Sequence, residues 1–202
     1  NGYAYRNENH SKYYLSENTF SFIREINSIH RINAVVGFTW QEWFRKGLGI
    51  KAYGFPNDNL SYNNYSLANS IPNPVIINKK WGLASFLGRS SYVLNDKYLV
   101  TLTGRYDGAT RLSENNKWAF FPSLGLGWNL HKESFMANLG MISQLKLRLS
   151  YGVSGNQNIN VGATQAKLET NNKTREVIGD NIYTRFLFNS FSNADLGWEI
   201  TK

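Results

Sequence analysis

Residues 144–153 read QLKLRLSYGV. Leu145, Leu147, Leu149, Tyr151 and Val153 fall on one side of this alternation, and Gln144, Lys146, Arg148, Ser150 and Gly152 on the other. Period two is the signature of a β-strand, because successive side chains point to opposite faces. One face is hydrocarbon and the other carries two cations, so a one-residue slip would exchange them. The strand therefore has one permitted register, and the question is what lies against each face.

The same period recurs along the chain. In RINAVVGFTWQ the even positions Ile32, Ala34, Val36, Phe38 and Trp40 are apolar. In KYLVTLTGRYD, Tyr98, Val100, Leu102, Gly104 and Tyr106 oppose Leu99, Thr101, Thr103, Arg105 and Asp107. In WAFFPSLGLGWNL a bulky even set from Trp118 to Leu130 opposes Ala119, Phe121, Ser123, Gly125, Gly127 and Asn129. The expected fold is all-β, an antiparallel up-and-down meander of six or seven strands. They are placed at about 15–26, 31–45, 81–93, 97–110, 118–130 and 144–154, with 182–188 as a possible seventh.

Composition narrows the functional classes. Of 202 residues, 42% are hydrophobic and 18% charged, which argues for a folded chain, and 15% aromatic content favours strands. There is no cysteine, so no disulfide, thiolate metal site or cysteine nucleophile is available. His10, His30 and His131 stand apart from any carboxylate at ligand spacing, so no metal or cofactor is expected. The net charge of +8 is spread singly rather than gathered into a patch, so nucleic acid is not an expected partner. No catalytic constellation emerges: GLGW at 125–128 lacks the third glycine and following helix of a nucleotide loop. A non-enzymatic role is expected.

Connections alternate in length: short at 27–30, long at about 46–79, short at 94–96, medium at 111–117, compact at 131–143, and long from 155. This is the form of outer-membrane barrels, with short periplasmic turns and longer extracellular loops. The face opposite the hydrocarbon is Ser, Gly, Asn and Thr with isolated charges, more like a crowded lumen than the water-facing side of a sandwich. Trp40, Tyr98, Tyr106, Trp118, Trp128 and Tyr151 stand on the apolar faces, as girdles at membrane interfaces do. Leu145, Leu147 and Leu149 are expected on lipid, and Lys146 and Arg148 in the lumen. A secreted, aromatic-rich β-sandwich that binds carbohydrate is the alternative. Six or seven strands fall short of the roughly eight that close the smallest such barrel. With NGYAYRNENH at one end and DLGWEITK at the other, we expect 1–202 to be one part of a larger barrel domain.

The residues also carry a family resemblance. Asp107, Gly108 and Arg111, then Asn115, Asn116, Lys117 and Trp118, then Phe121, Pro122 and Ser123, then Gly127 and Trp128 resemble the C-terminal barrel of SusC/RagA-like TonB-dependent transporters of Bacteroidota. Ser150-Tyr151-Gly152 and Gly155-Asn156-Gln157-Asn158 look like the family's strand exit, and NADLGWEI extends the likeness. Tyr106, Leu112 and Ala119 depart from it, standing where Arg, Phe and Gly are common. The resemblance implies a barrel of about 22 strands in the outer membrane, with an N-terminal plug and TonB box that these residues lack. It implies nutrient import, of oligosaccharides or peptides, under a SusD-like lipoprotein that lids the extracellular loops.

Candidate contacts for ligand or lid are Tyr53, Phe55, Tyr62 and Tyr65 in the first long loop, with packing of the loop on itself as the ordinary alternative. Arg105, Asp107 and Arg111 near a strand end are candidates to touch ligand. A salt bridge across neighbouring strands is the ordinary reading of that group.

Overall fold

The computed structural model describes residues 2–56, 63–137, 141–169 and 175–202. Six strands form one antiparallel sheet in sequence order: β1 (Gly2–Ile26), β2 (His30–Phe55), β3 (Val75–Leu94), β4 (Tyr98–Ala109), β5 (Trp118–Asn129) and β6 (Lys146–Gly152). No α-helix occurs among the described residues, and no helix there is long and apolar enough to cross a membrane. The chain divides into two compact units, 1–15 with 41–82 and 16–40 with 83–202.

In the second unit the register carries the alternation from strand to strand. Tyr98 pairs with Trp128, Val100 with Leu126, Leu102 with Leu124, and Tyr106 with Phe120. Trp128, Leu126 and Leu124 pair in turn with Leu147, Leu149 and Tyr151. On the apolar face like meets like across β4, β5 and β6. The rows between are mainly small and polar, as in Thr101–Gly125–Ser150, with Leu99 beside Gly127 and Arg148 and with Arg105 beside Phe121 as the mixed ones. The apolar rows are uncovered: Leu102, Leu124, Leu126 and Leu149 are all exposed, Leu149 at 68%. A sandwich would bury these side chains against a second sheet, so the carbohydrate-binding sandwich is set aside.

Two hairpin turns are tight. Asn27 and Ser28, then Asn95 and Asp96, have consecutive positive φ angles between 51° and 56°. Paired left-handed residues match the right-handed strand twist, and Asn and Asp tolerate them. The connection from β5 to β6 holds single 3-10 turns at Leu130–Lys132 and Ser134–Met136.

The first unit comprises the remaining parts of β1, β2 and β3 and the loop after β2. Its small core is Ala4, Ala52 and Phe55, with Tyr65 and Ala68 packed against it. Gly54, at φ +73°, turns the chain so that Tyr53 and Ser70 exchange backbone hydrogen bonds at 2.9 and 3.2 Å.

Several strand bounds differ from expectation. β1 begins at Gly2 rather than about 15, β2 runs to Phe55 rather than 45, and β3 starts at Val75 rather than 81. The extra segments are polar and Tyr-rich, as in GYAYRNENHSKYY, with no apolar periodicity to announce them. Strand pairing satisfies their backbone, and a strand outside hydrocarbon needs no apolar face. Leu145 lies just before β6, its carbonyl accepting from the backbone N–H of His131. The expected strand 182–188 is absent. β10 (Asn181–Thr184) pairs with β9 (Arg175–Ile178), and β11 (Leu187–Ser190) pairs with β8 (Lys167–Glu169), neither joining the main sheet. Apolar alternation had run across the break at Arg185 and Phe186.

The register makes a prediction. Leu149→Arg should impair assembly of the full-length barrel, at about 2–4 kcal/mol for a cation near the bilayer midplane. Ser150→Arg, one residue along and on the other face, should assemble normally by heat-modifiable gel mobility.

Candidate functional site

The functional surface of the second unit is the sheet itself, with its two faces and two rims. Trp118 and Trp128 bracket β5 on the apolar face. Ten steps at about 3.3 Å give a span of roughly 33 Å along the strand. A tilt of about 40° reduces this to roughly 25 Å, the height of a barrel's apolar band. At one end Tyr106 stacks on Trp118 with centroids 4.9 Å apart, and Phe86 and Phe38 extend the row. Trp118 lies flat over Gly108, where any Cβ would overlap its indole ring. At the other end Tyr98 stacks on Trp128 at 6.2 Å. Trp40 and Tyr151 are exposed on their strands, as are Leu147 and Leu149.

The rim beside Tyr98 is tied by a carboxylate. Glu133 accepts from Lys97 Nζ at 2.9 Å, Tyr98 OH at 2.8 Å and Trp128 Nε1 at 3.0 Å. Its side chain is only 12% exposed. These donors, Lys97 first and then Trp128 and Tyr98, hold the Glu133 carboxyl down at about 2. Asp96 is also held low, first by Lys132 and then by Arg31, whose Nη2 lies 2.9 Å from its Oδ1. Asn129 Nδ2 donates to the Asp96 carbonyl, and Asn95 N–H to the Ile29 carbonyl. The β1–β2, β3–β4 and β5–β6 connections are thus clamped together. Only side chains brought together by register form this cluster, so no local motif marks it.

At the opposite rim, Asp107 is 6% exposed and pairs in register with fully buried Ser85. Arg105 Nε donates to Asp107 Oδ1 at 2.7 Å, and Arg105 Nη2 to Ser85 Oγ at 3.1 Å. The ion pair lies within β4, two residues apart, and the link to the neighbouring strand is through Ser85. Arg111 sits in the following loop, where burial pushes its guanidinium pKa down. Leu112 beside it is buried, the Ser113 N–H and hydroxyl both donate to the Leu196 carbonyl, and Trp198 Nε1 donates to the Lys117 carbonyl. Trp198 packs edge-on against Phe121 at 5.1 Å. The DGATRL and NKW segments therefore form one braced knob with the later NADLGW segment.

Lys146 and Arg148 stand on the polar face of β6, the strand at the sheet's edge, and neither forms an ion pair among the described residues. In the first unit Tyr53 stacks on Tyr3 at 5.9 Å and stays exposed, whereas Phe55 and Tyr65 pack in the loop's own core. Tyr62 lies outside the described residues. No group of three or more His, Asp or Glu side chains among the described residues is placed to hold a metal.

A single sheet with one uncovered apolar face between two aromatic rows, and a small polar face behind it, defines the wall of an outer-membrane β-barrel. The family model for the TonB dependent receptor-like β-barrel matches residues 1–202. TonB-dependent receptor P26 of Formosa agariphila is 38% identical over 195 residues, covering 95% of this chain and 19% of that protein. TonB-dependent receptor SusC of Bacteroides thetaiotaomicron is 40% identical over 121 residues, covering 59% of this chain and 12% of its own. Among solved structures, the RagAB peptide transporter superposes at a TM-score of 0.74 with 27% identity, over 98% of this chain and 21% of that one. The chain belongs to the TonB-dependent receptor β-barrel family, of the SusC/RagA-like kind, and is an outer-membrane protein. It spans about one fifth of the relatives it matches.

The Glu133 clamp has a pH signature. Its folded pKa lies below the ordinary carboxylate value of 4.5, so its contribution is complete above that value and is lost as pH falls towards about 2. Glu133→Gln should lower the unfolding temperature of the full-length protein at pH 7. The variant should also show a smaller loss of stability between pH 4.5 and 2 than the parent, measured by heat-modifiable gel mobility.

Proposed function

We propose that this chain forms part of the wall and extracellular rim of a TonB-dependent importer of oligosaccharides or peptides. The observation that carries the reading is the division of the sheet into an uncovered apolar face and a small, polar face. On this reading Trp40, Tyr98, Tyr106, Trp118, Trp128, Leu145, Leu147, Leu149 and Tyr151 meet outer-membrane lipid. Lys146 and Arg148 face the lumen. Their partners lie on the next strand or on a plug carried by the rest of the protein, in a barrel of about 22 strands.

Two of the three relatives named above support the cargo class: one is a SusC receptor and the other a peptide transporter. TonB would act through a plug outside these residues, and a SusD-like lipoprotein would seat on the loops of the first unit. Tyr53, exposed and stacked on Tyr3, is the best aromatic contact for ligand or lid. Phe55, Tyr65, Arg105, Asp107 and Arg111 act as supports, since each is engaged in packing, in an ion pair or in a partly buried loop. The role is non-enzymatic.

The experiment is uptake of labelled oligosaccharide and peptide mixtures by cells carrying the full-length protein, with and without TonB. Accumulation should require TonB. Tyr53→Ala should weaken uptake by up to about tenfold, the scale of one aromatic contact. Undiminished accumulation without TonB would overturn the energised-import reading.

A further inference from the structure

The braced knob of the second unit surrounds a pocket that the membrane wall does not use. Its volume is about 300 Å³, and it lies between the β4–β5 loop, the turn at 161–165 and residues 192–194, all within that unit. Leu112 and Ser113 are buried in its wall, and the Ser113 bonds to the Leu196 carbonyl tie two of its sides together. Gly162, at φ +79°, and the bond from the Gln165 N–H to the Gly162 carbonyl shape the third side, which presents Thr164 and Gln165. Glu114 and Lys117 pair with each other, so the lining carries no net charge. Its other polar groups include the Asn115, Gln165 and Asn193 carboxamides and the Thr164 and Ser192 hydroxyls. Asn193 Oδ1 accepts from the Asp195 N–H, while the side chains of Asn115, Thr164, Gln165 and Ser192 form no hydrogen bond among the described residues.

This chemistry selects its ligand. A carboxamide sets a donor beside an acceptor, which matches two neighbouring hydroxyls, each of which donates and accepts. An apolar group in the pocket would leave those carboxamides without partners. A charged group would find no net charge of opposite sign, because Glu114 already neutralises Lys117. The volume is at the small end for a ligand site, enough for one ring rather than a chain. The pocket's side at 192–194 leads to Trp198, which packs on Phe121, a residue of the odd, polar-face series of β5. That segment therefore comes off the polar face of the wall. We propose that this pocket holds one neutral hexose unit of the cargo. The inference rests on the import reading and narrows its cargo to neutral oligosaccharide.

The test uses purified full-length protein in nanodiscs, with the hexasaccharides of glucose, mannose and galactose as probes and binding measured by calorimetry. Parent protein should bind at least one of the three. The double variant Asn115→Ala/Gln165→Ala should bind it about thirtyfold more weakly, at roughly one hydrogen bond per carboxamide, with heat-modifiable gel mobility unchanged. Ser192→Trp, which fills the pocket, should abolish binding. A hexasaccharide of galacturonic acid and hexa-alanine should each show no difference between parent and double variant. Failure of all three neutral sugars to bind the parent, or equal binding by parent and double variant, would overturn the proposal. So would binding of the acidic sugar or of hexa-alanine that the double variant loses, because the ligand would then be an anion or a peptide. Binding to the purified protein needs no TonB. A negative result here therefore leaves energised import standing, and TonB-independent uptake would overturn import without changing these affinities.

Discussion

A strand in hydrocarbon has no water with which to satisfy its backbone, so each N–H and C=O must bond to a neighbouring strand. That pairing also fixes register, and register decides which side chains share a row across the sheet. In β4, β5 and β6 the bulky apolar residues sort into alternate rows: Val100, Leu126 and Leu149 lie in one, and Thr101, Gly125 and Ser150 in the next. The girdle stacks, the Glu133 clamp and the polarity of the lumen all depend on this sorting. Shift one strand by one residue and Tyr98 loses Trp128, Glu133 loses its donors, and Arg148 enters lipid.

The rims convert this wall into a rigid support. On one side Glu133 and Asp96 gather donors from the start of β2, the β3–β4 turn, the adjoining ends of β4 and β5 and the β5–β6 connection, so this rim behaves as one strip. On the other, Ser113 and Trp198 tie the β4–β5 loop to a segment some 80 residues later in the chain. The family-like residues Asp107 and Trp118 serve this bracing, together with Leu112. Asp107 is held by Arg105, Leu112 is buried, and Trp118 covers Gly108. Β7 (Ser154–Asn156) continues the β6 edge after Val153 bonds to Pro122, and β12 (Glu199–Thr201) pairs along it.

Much of this was legible in the sequence wherever hydrocarbon imposes period two. QLKLRLSYGV, KYLVTLTGRYD and WAFFPSLGLGWNL each announced a strand, its face and its aromatic ends. Residues 2–14 and 46–55 were not legible, because these polar, Tyr-rich stretches are held by strand pairing and show no apolar period. Glu133 was invisible for a different reason: its three donors come from β4, β5 and the turn before β4. Its role therefore exists only once the register is known. The segment 182–188 misled because Ile182, Phe186 and Phe188 keep an apolar period across two separate short strands. Phe55 and Tyr65 read as loop aromatics free for contact, but they are the loop's own core.

The most direct test of the central claim is a single-cysteine scan of residues 118–129 in the full-length protein in intact outer membranes. A lipid-soluble and a membrane-impermeant maleimide would be compared at each site. Because these 202 residues hold no cysteine, each introduced thiol is the only one in this stretch. The account predicts strict alternation: cysteines at Phe120, Leu124 and Leu126 react with the lipid-soluble reagent alone. Those at Ser123, Gly125 and Gly127 should react with the impermeant reagent once the lumen is open. Equal reactivity of both sets towards the impermeant reagent would mean that both faces meet water, and would contradict the account.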